Sequence, residues 1–203
     1  MTFAGLALSG LLLLVVLGLA AILALAARAN SLEKALERQS LRDALTGLPN
    51  RWSLQERMET ILASAKRYQR RFAVLCIDLD GFKAINERSG HRAGDRVLCE
   101  VAERLRAVVR TEEMLARLAS DEFAVVLSEI RGRDDATTVA DRILGATAEP
   151  VEIDGGLARV AASIGIALYP GNGEDRETLV AAAEAAMNEA KRTGGSRAAF
   201  AAG

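Results

Sequence analysis

From Phe3 to Ala27 the chain carries 25 consecutive residues without a charge, a length that crosses a bilayer core as a tilted helix. Beyond it charges become frequent, and apolar positions recur at spacings that separate helix from strand. Asn30 or Ser31 caps a short helix in which Leu32, Ala35, Leu36 and Gln39 share a face. DALTGLPNR, residues 43 to 51, forms a turn built from Thr, Gly, Pro and Asn, and the spacing after it predicts a helix over about Trp52 to Arg67. FAVLCID, residues 72 to 78, is continuously apolar and ends on acid, which is the pattern of a strand buried on both faces. Val97, Val101, Leu105 and Val108 follow at helical spacing with charges opposite them. Met114 to Leu127 reads as a hairpin whose turn falls on Ala119, Ser120, Asp121 and Glu122. A helix over about Asp135 to Ala148 comes next. A second hairpin then turns at Asp154, Gly155 and Gly156, and its long second arm runs to Tyr169 and Pro170. A last alanine-rich helix, Arg176 to Arg192, stops before Gly194 and Gly195. This order predicts an α/β (α+β) domain with a central antiparallel sheet flanked by helices on one or both faces.

Three segments result: a transmembrane anchor over residues 1–29, a helical stalk over 30–40 and a domain over 41–203. Arg28, Lys34 and Arg38 follow the apolar run and no Lys or Arg precedes it. The positive-inside rule therefore places the domain in the cytoplasm on a single-pass inner-membrane anchor. A cleaved signal peptide fits less well, because the start is uncharged and the apolar run too long. The stalk is a solvated linker helix or pairs with its twin. Lys and Arg number 26 against 27 Asp and Glu, a balance that argues against nucleic acid as a partner. Cys76 and Cys99 are too few for a disulfide framework and read as reduced core residues. The lone His91 reads as a turn residue.

The chemistry lies in the acids. Asp78 and Asp80 end the central strand, and Asp121 and Glu122 sit on the hairpin tip. If strand and hairpin are neighbours, their carboxylates converge and repel unless a cation bridges them, and an all-oxygen site suits Mg²⁺ or Mn²⁺. Such a site assists phosphoryl transfer. After Asp78, Gly81 allows close backbone approach, and the amides near Phe82 and Lys83, with the Lys83 ammonium, can hold phosphates. Asn86 and Asp95 are able to read a base edge. On spacing alone the same residues fit a solvated loop with an Asx turn and a helix cap at Asp95 better.

DALTGLPNR, IDLDGFKAIN, GHRAGD, RLASDEF, SIGIALYP and AAMNEAKR resemble, in order and spacing, the GGDEF domain of diguanylate cyclases. The resemblance covers about Leu41 to Arg197. It implies a fold similar to the palm of nucleotidyl cyclases and polymerases, with one GTP bound per domain. It also implies that a homodimer joins two GTP into cyclic di-GMP and releases pyrophosphate. By the same resemblance Asp78 and Glu122 hold Mg²⁺, and Asp121 is a metal ligand that helps activate the attacking hydroxyl. Phe82 and Lys83 offer amides to phosphates, Lys191 supplies a positive charge, and Asn86 and Asp95 recognise guanine.

The departures are informative. Ala119 and Ser120 stand where the family has Gly-Gly, and glycine at positive φ is replaced only at a cost of about 1 kcal/mol or more. Two added Cβ atoms also crowd the phosphate, and a 1 Å displacement costs about a hundredfold in rate. Gly195 takes the place of an Arg, which Arg192 or Arg197 would have to supply from another position. In the family's product-inhibition motif, Arg-x-x-Asp, this chain keeps Arg110 and has Glu113 for the acid, leaving cyclic di-GMP as product and candidate inhibitor. The expectation is a slowed membrane-anchored diguanylate cyclase; the alternatives are a degenerate module that binds GTP or cyclic di-GMP and signals, and a ligand-free dimerisation unit.

Overall fold

The computed structural model describes residues 41–202, together with Gly18, Ile22, Leu25 and Arg28. The anchor and stalk expected over residues 1–40 lie outside the described residues apart from those four. No helix among the described residues is long and apolar enough to cross a membrane. The chain divides into two units after Leu41, and the second, from Arg42 onward, contains the sheets and the helices that cover them.

Asn50 caps the first helix, α1 (Arg51–Tyr68), by accepting from the amides of Trp52 and Ser53, each at 3.1 Å. β1 (Arg71–Asp80) follows, then α2 (Phe82–Ser89) and α3 (His91–Val108). β2 (Met114–Arg117) and β3 (Glu122–Ile130) form the first hairpin, and α4 (Arg133–Ala148) follows it. β4 (Val151–Ile153), β5 (Gly156–Ala158), β6 (Ala161–Tyr169), α5 (Arg176–Arg192) and β7 (Ala198–Phe200) complete the order. The main sheet runs β2-β3-β1-β6-β7, with β1 at its centre.

The side-chain alternation of β1 sorts the helices into two layers. Ala73, Leu75, Ile77 and Leu79 join the cluster that includes Ile85, Val97, Val101 and Ile143, so α2, α3 and α4 cover that face. Phe72, Val74 and Cys76 join Met58, Leu62, Leu179 and Ala183, so α1 and α5 cover the other. By the same alternation Asp78 lies on the α1 and α5 side, buried at 7 % exposure. α5 sits unusually close to the sheet. A Cβ on Gly165 of β6 would fall 1.9 Å from the Ala183 carbonyl oxygen and 2.3 Å from the Met187 amide nitrogen, so only glycine admits the helix there.

Four expectations need correction. The sheet is mixed, because β7 pairs with β6 in parallel. The second hairpin closes as expected at Asp154 to Gly156, but its long arm is broken at Arg159 and Val160. β5 stays with β4 in a small separate sheet, and β6 crosses to pair with β1. The stretch after Asp80, expected as a loop, is the helix α2, whose Phe82 and Ile85 point into the core. Finally, α3 begins at His91, so Asp95 lies within the helix and does not cap it.

Candidate active site

The central strand and the first hairpin are neighbours, as the convergence of acids required. β1 and β3 pair antiparallel with Asp78 directly opposite Glu122, and the Leu79 amide donates to the Asp121 carbonyl at 3.2 Å. Three carboxylates therefore meet at one corner of the sheet. Their electrostatics reflect crowding: burial pushes the Asp78 carboxyl above its ordinary value, against Lys191, and the charges of Asp121 and Asp80 push it further. Glu122 is raised by burial and then by Asp78, with Arg51 opposing and Glu184 and Asp121 adding.

Each acid already has a partner. Lys191 Nζ lies 2.6 Å from Asp78 Oδ1, Arg51 Nη2 lies 3.8 Å from Glu122 Oε2, and the Ser120 hydroxyl donates to Asp121 Oδ1. Asp80 is tied elsewhere, accepting from the Ser163 hydroxyl at 2.9 Å and from the Ser196 amide at 2.8 Å. Among the described residues no three acidic, His or Cys side chains are gathered tightly enough to hold a metal ion as they stand. The donor set nonetheless fits a hard divalent cation: it is all carboxylate oxygen, and burial and neighbouring acids raise the carboxyls of Asp78 and Glu122.

The hairpin tip differs from expectation. The Leu118 amide donates to the Glu122 carbonyl at 2.8 Å and the Ala119 amide to the same oxygen at 3.5 Å. The only non-glycine residues at positive φ among those described are Gln69 and Ser196. Ala119 and Ser120 therefore carry no left-handed strain, and the strain argument against them fails. Their Cβ atoms and the Ser120 hydroxyl remain as added bulk. The tip is held from behind by Arg117, whose Nη2 donates to the Ser120 carbonyl at 2.7 Å and whose Nη1 donates to Asp43 at 2.9 Å. Asp43 also accepts from the Thr46 amide at 2.8 Å and hydroxyl at 2.6 Å. Although burial alone would raise its carboxyl, these bonds and Arg117 hold it below the ordinary value. The turn DALTGLPNR is thus braced onto the β2–β3 hairpin by one largely buried guanidinium.

The expected nucleotide side is assembled by glycine. Gly81, at φ 81°, opens α2 with no side-chain cap, which leaves the Phe82 and Lys83 amides at the positive end of a helix. Phe82 is buried and only its backbone is available, whereas Lys83 is exposed, with Nζ 3.8 Å from Glu87. α2 turns at Gly90 into α3, which brings Gly94, the neighbour of Asp95, against Asn86. A Cβ on Gly94 would lie 2.0 Å from Asn86 Oδ1, so the glycine next to Asp95 is what lets α3 seat against Asn86. That buried oxygen has no hydrogen-bond partner.

Gly195 sits at φ 69°, and a Cβ there would lie 2.9 Å from Asp80 Oδ2. Glycine at this place serves the Asp80 contact with Ser196, and the missing Arg is not replaced by Arg192, which pairs with Glu189 at 2.8 Å. At the inhibitory motif, Glu113 accepts from the Arg110 amide at 3.0 Å, and the Glu113 amide donates back to the Arg110 carbonyl at 3.1 Å. Its acid closes a local turn. Arg110 lines a cleft of 670 Å³ with Arg131 and Arg142, and one of 480 Å³ with Arg42 and Arg106. Cys76 and Cys99 are free, and burial with nearby Glu184 and Glu122 pushes the Cys76 thiol up to about 12. Sequence reasoning missed Arg51 and Glu184 at this corner, since neither stands near an acid of the site along the chain.

The family described as diguanylate cyclase, GGDEF domain, matches residues 40–197. The bifunctional diguanylate cyclase/cyclic di-GMP phosphodiesterase MucR of Pseudomonas aeruginosa is 49% identical over 168 residues, covering 83% of this chain and 24% of that protein. A solved structure of the GGDEF domain alone of TpbB, from the same organism, superimposes with a TM-score of 0.77 at 40% identity. It covers 79% of this chain and 94% of that one. The GGDEF domain of DgcB from Caulobacter crescentus, solved in complex with c-di-GMP, gives a TM-score of 0.72 at 25% identity, over 79% of this chain and 95% of that one. The chain spans about a quarter of the length of MucR and 38% of full-length TpbB, to which it is 40% identical.

Proposed function

Because this chain belongs to the diguanylate cyclase, GGDEF domain family, we propose that it is a membrane-anchored diguanylate cyclase whose turnover is slowed at the hairpin tip. Two GTP are condensed by two domains of a homodimer held at the inner membrane, with the domain in the cytoplasm. The 3′ oxygen of each ribose bonds to the α-phosphorus of the other GTP while the bond to pyrophosphate breaks, giving cyclic di-GMP and two pyrophosphates. The observation that carries the reading is the register that sets Asp78 opposite Glu122 with Asp121 beside them.

Asp78, Asp121 and Glu122 would hold Mg²⁺ or Mn²⁺, which supplies charge neutralisation at the α-phosphate and lowers the pKa of the attacking hydroxyl. The protein's own groups do the rest. Asp121 stands at the tip to accept the 3′ hydroxyl proton. The Phe82 and Lys83 amides bind phosphate oxygens at the start of α2. Lys191, which lies 2.6 Å from Asp78, would supply positive charge to the phosphates. Asn86 and Asp95 read guanine, with the carboxylate accepting from the base's N–H donors. Cyclic di-GMP is also a candidate inhibitor at Arg110, where the neighbouring Arg131 and Arg142 offer donors to its phosphates.

A second reading is favoured by Ser120, whose hydroxyl engages the proton-accepting Asp121: a degenerate domain that binds GTP or cyclic di-GMP and signals without turnover. The deciding experiment is to incubate the full chain with GTP and Mg²⁺ beside Asp121→Ala. Cyclic di-GMP from the wild type and none from the variant supports the cyclase. Normal GTP binding with no product from either supports the module.

A further inference from the structure

Glu122 has a partner that the ligand set does not use. Arg51, the first residue of α1, approaches it only to 3.8 Å, beyond hydrogen-bond distance. The same side chain lines a 220 Å³ cleft between α1 and α5, whose α5 wall includes Glu184. Glu184 and Glu122 both line the narrow adjoining space that also holds Cys76 and Leu118. One guanidinium therefore faces a carboxylate of the hairpin and shares its cleft with another from α5. The close seating of α5 on Gly165 fixes the second one in place.

The two basic groups at this corner are not equivalent. Lys191 makes a 2.6 Å contact with a buried acid, whereas Arg51 is loosely held and half exposed, 44% by side chain. A cation arriving at Glu122 meets Arg51 as its competitor, and exchanging one partly exposed ion pair for another is nearly neutral in free energy. Glu184 offers the displaced guanidinium an acceptor on the far side.

We propose that Glu184 is a positioning residue that draws Arg51 off Glu122 when a divalent cation loads, and thereby sets the cation affinity of the site. The proposal rests on the reading of Asp78, Asp121 and Glu122 as cation ligands. Glu184 touches neither substrate nor cation and acts only through Arg51.

The test is Mn²⁺ binding to the full chain without nucleotide, read from loss of the free-ion electron paramagnetic resonance signal. Glu184→Gln is expected to weaken binding about threefold and Arg51→Gln to tighten it about threefold. In the Arg51→Gln background, adding Glu184→Gln is expected to change affinity by less than about 1.5-fold. Equal weakening in both backgrounds would mean that Glu184 acts directly by its charge, and would overturn the proposal alone. So would no weakening by Glu184→Gln beside a native Arg51. In the same assay Asp78→Asn and Glu122→Gln are expected to abolish binding. Unchanged binding there, or none by the wild type, overturns the ligand set and the proposal with it.

Discussion

The α2–α3 corner and the β2–β3 tip, the two halves of the proposed site, are built in opposite ways. The first is shaped by glycines: Gly81 and Gly90 take positive φ to open a helix end and turn the chain, and Gly94 leaves room for Asn86. It presents its groups with few internal partners, down to the unpaired Asn86 oxygen. The tip has Ala119 and Ser120 where its relatives' signature has glycine, and its acids are engaged with Lys191, Arg51 and Ser120. On the proposed reading one half is preorganised to bind, whereas the other is self-neutralised and must exchange partners before it can act. Binding and turnover should accordingly be separable by mutation.

The largest expected effect is at the tip. Asp121→Ala or Glu122→Gln should lower cyclic di-GMP formation about a thousandfold, the several kcal/mol that metal-assisted charge stabilisation supplies, while guanine-nucleotide binding through α2 and α3 survives. Rate loss that tracks loss of binding would erase the contrast. At the other corner Asp95→Asn should raise the KM for GTP about tenfold with kcat little changed, the size of an effect from a charged hydrogen bond. A kcat effect of the same size would move Asp95 to the chemical step. Gly94→Ala should destabilise the domain by about 1–3 kcal/mol in denaturant titration, because its Cβ has no room.

The smallest effect concerns pH. Asp78 and Glu122 lie above their ordinary 3.8 and 4.5 in the folded chain. For an acid raised on folding, stability is complete below the unfolded pKa and is lost as pH rises through the folded one. The cation-free domain should therefore weaken above that range, and a cation should restore it. The gain in Tm from Mg²⁺ is expected to be near zero at about pH 4 and about 2–4 °C near pH 7.5. Equal gains at both would mean that the crowded carboxylates are not the cation's ligands.

Much of this arrangement was legible along the chain. The run FAVLCID identified the central strand, and the acids at its end and on the hairpin predicted the shared corner that the β1–β3 register contains. What escaped was of two kinds. Short elements carry too little periodicity: α2 hides behind Gly81 with only Phe82 and Ile85 inward, and β7 is three residues, mostly alanine. Long-range partners carry no local mark at all. Arg51 approaches Glu122 from the start of α1, and Glu184 comes beside it on α5, which Gly165 lets lie against the sheet. The expected strain at Ala119 and Ser120 failed for a related reason: the tip is a wider loop than a two-residue turn, and it needs no positive φ.

That leaves bulk and the Ser120 hydroxyl as the cause of the proposed slowing, and one measurement addresses it most directly. The full chain carrying Ala119→Gly and Ser120→Gly is assayed for cyclic di-GMP beside the wild type at saturating GTP and Mg²⁺. A rise in kcat of about tenfold or more, with KM for GTP nearly unchanged, is the predicted result. An unchanged kcat would contradict the account, because the tip would then not limit the reaction.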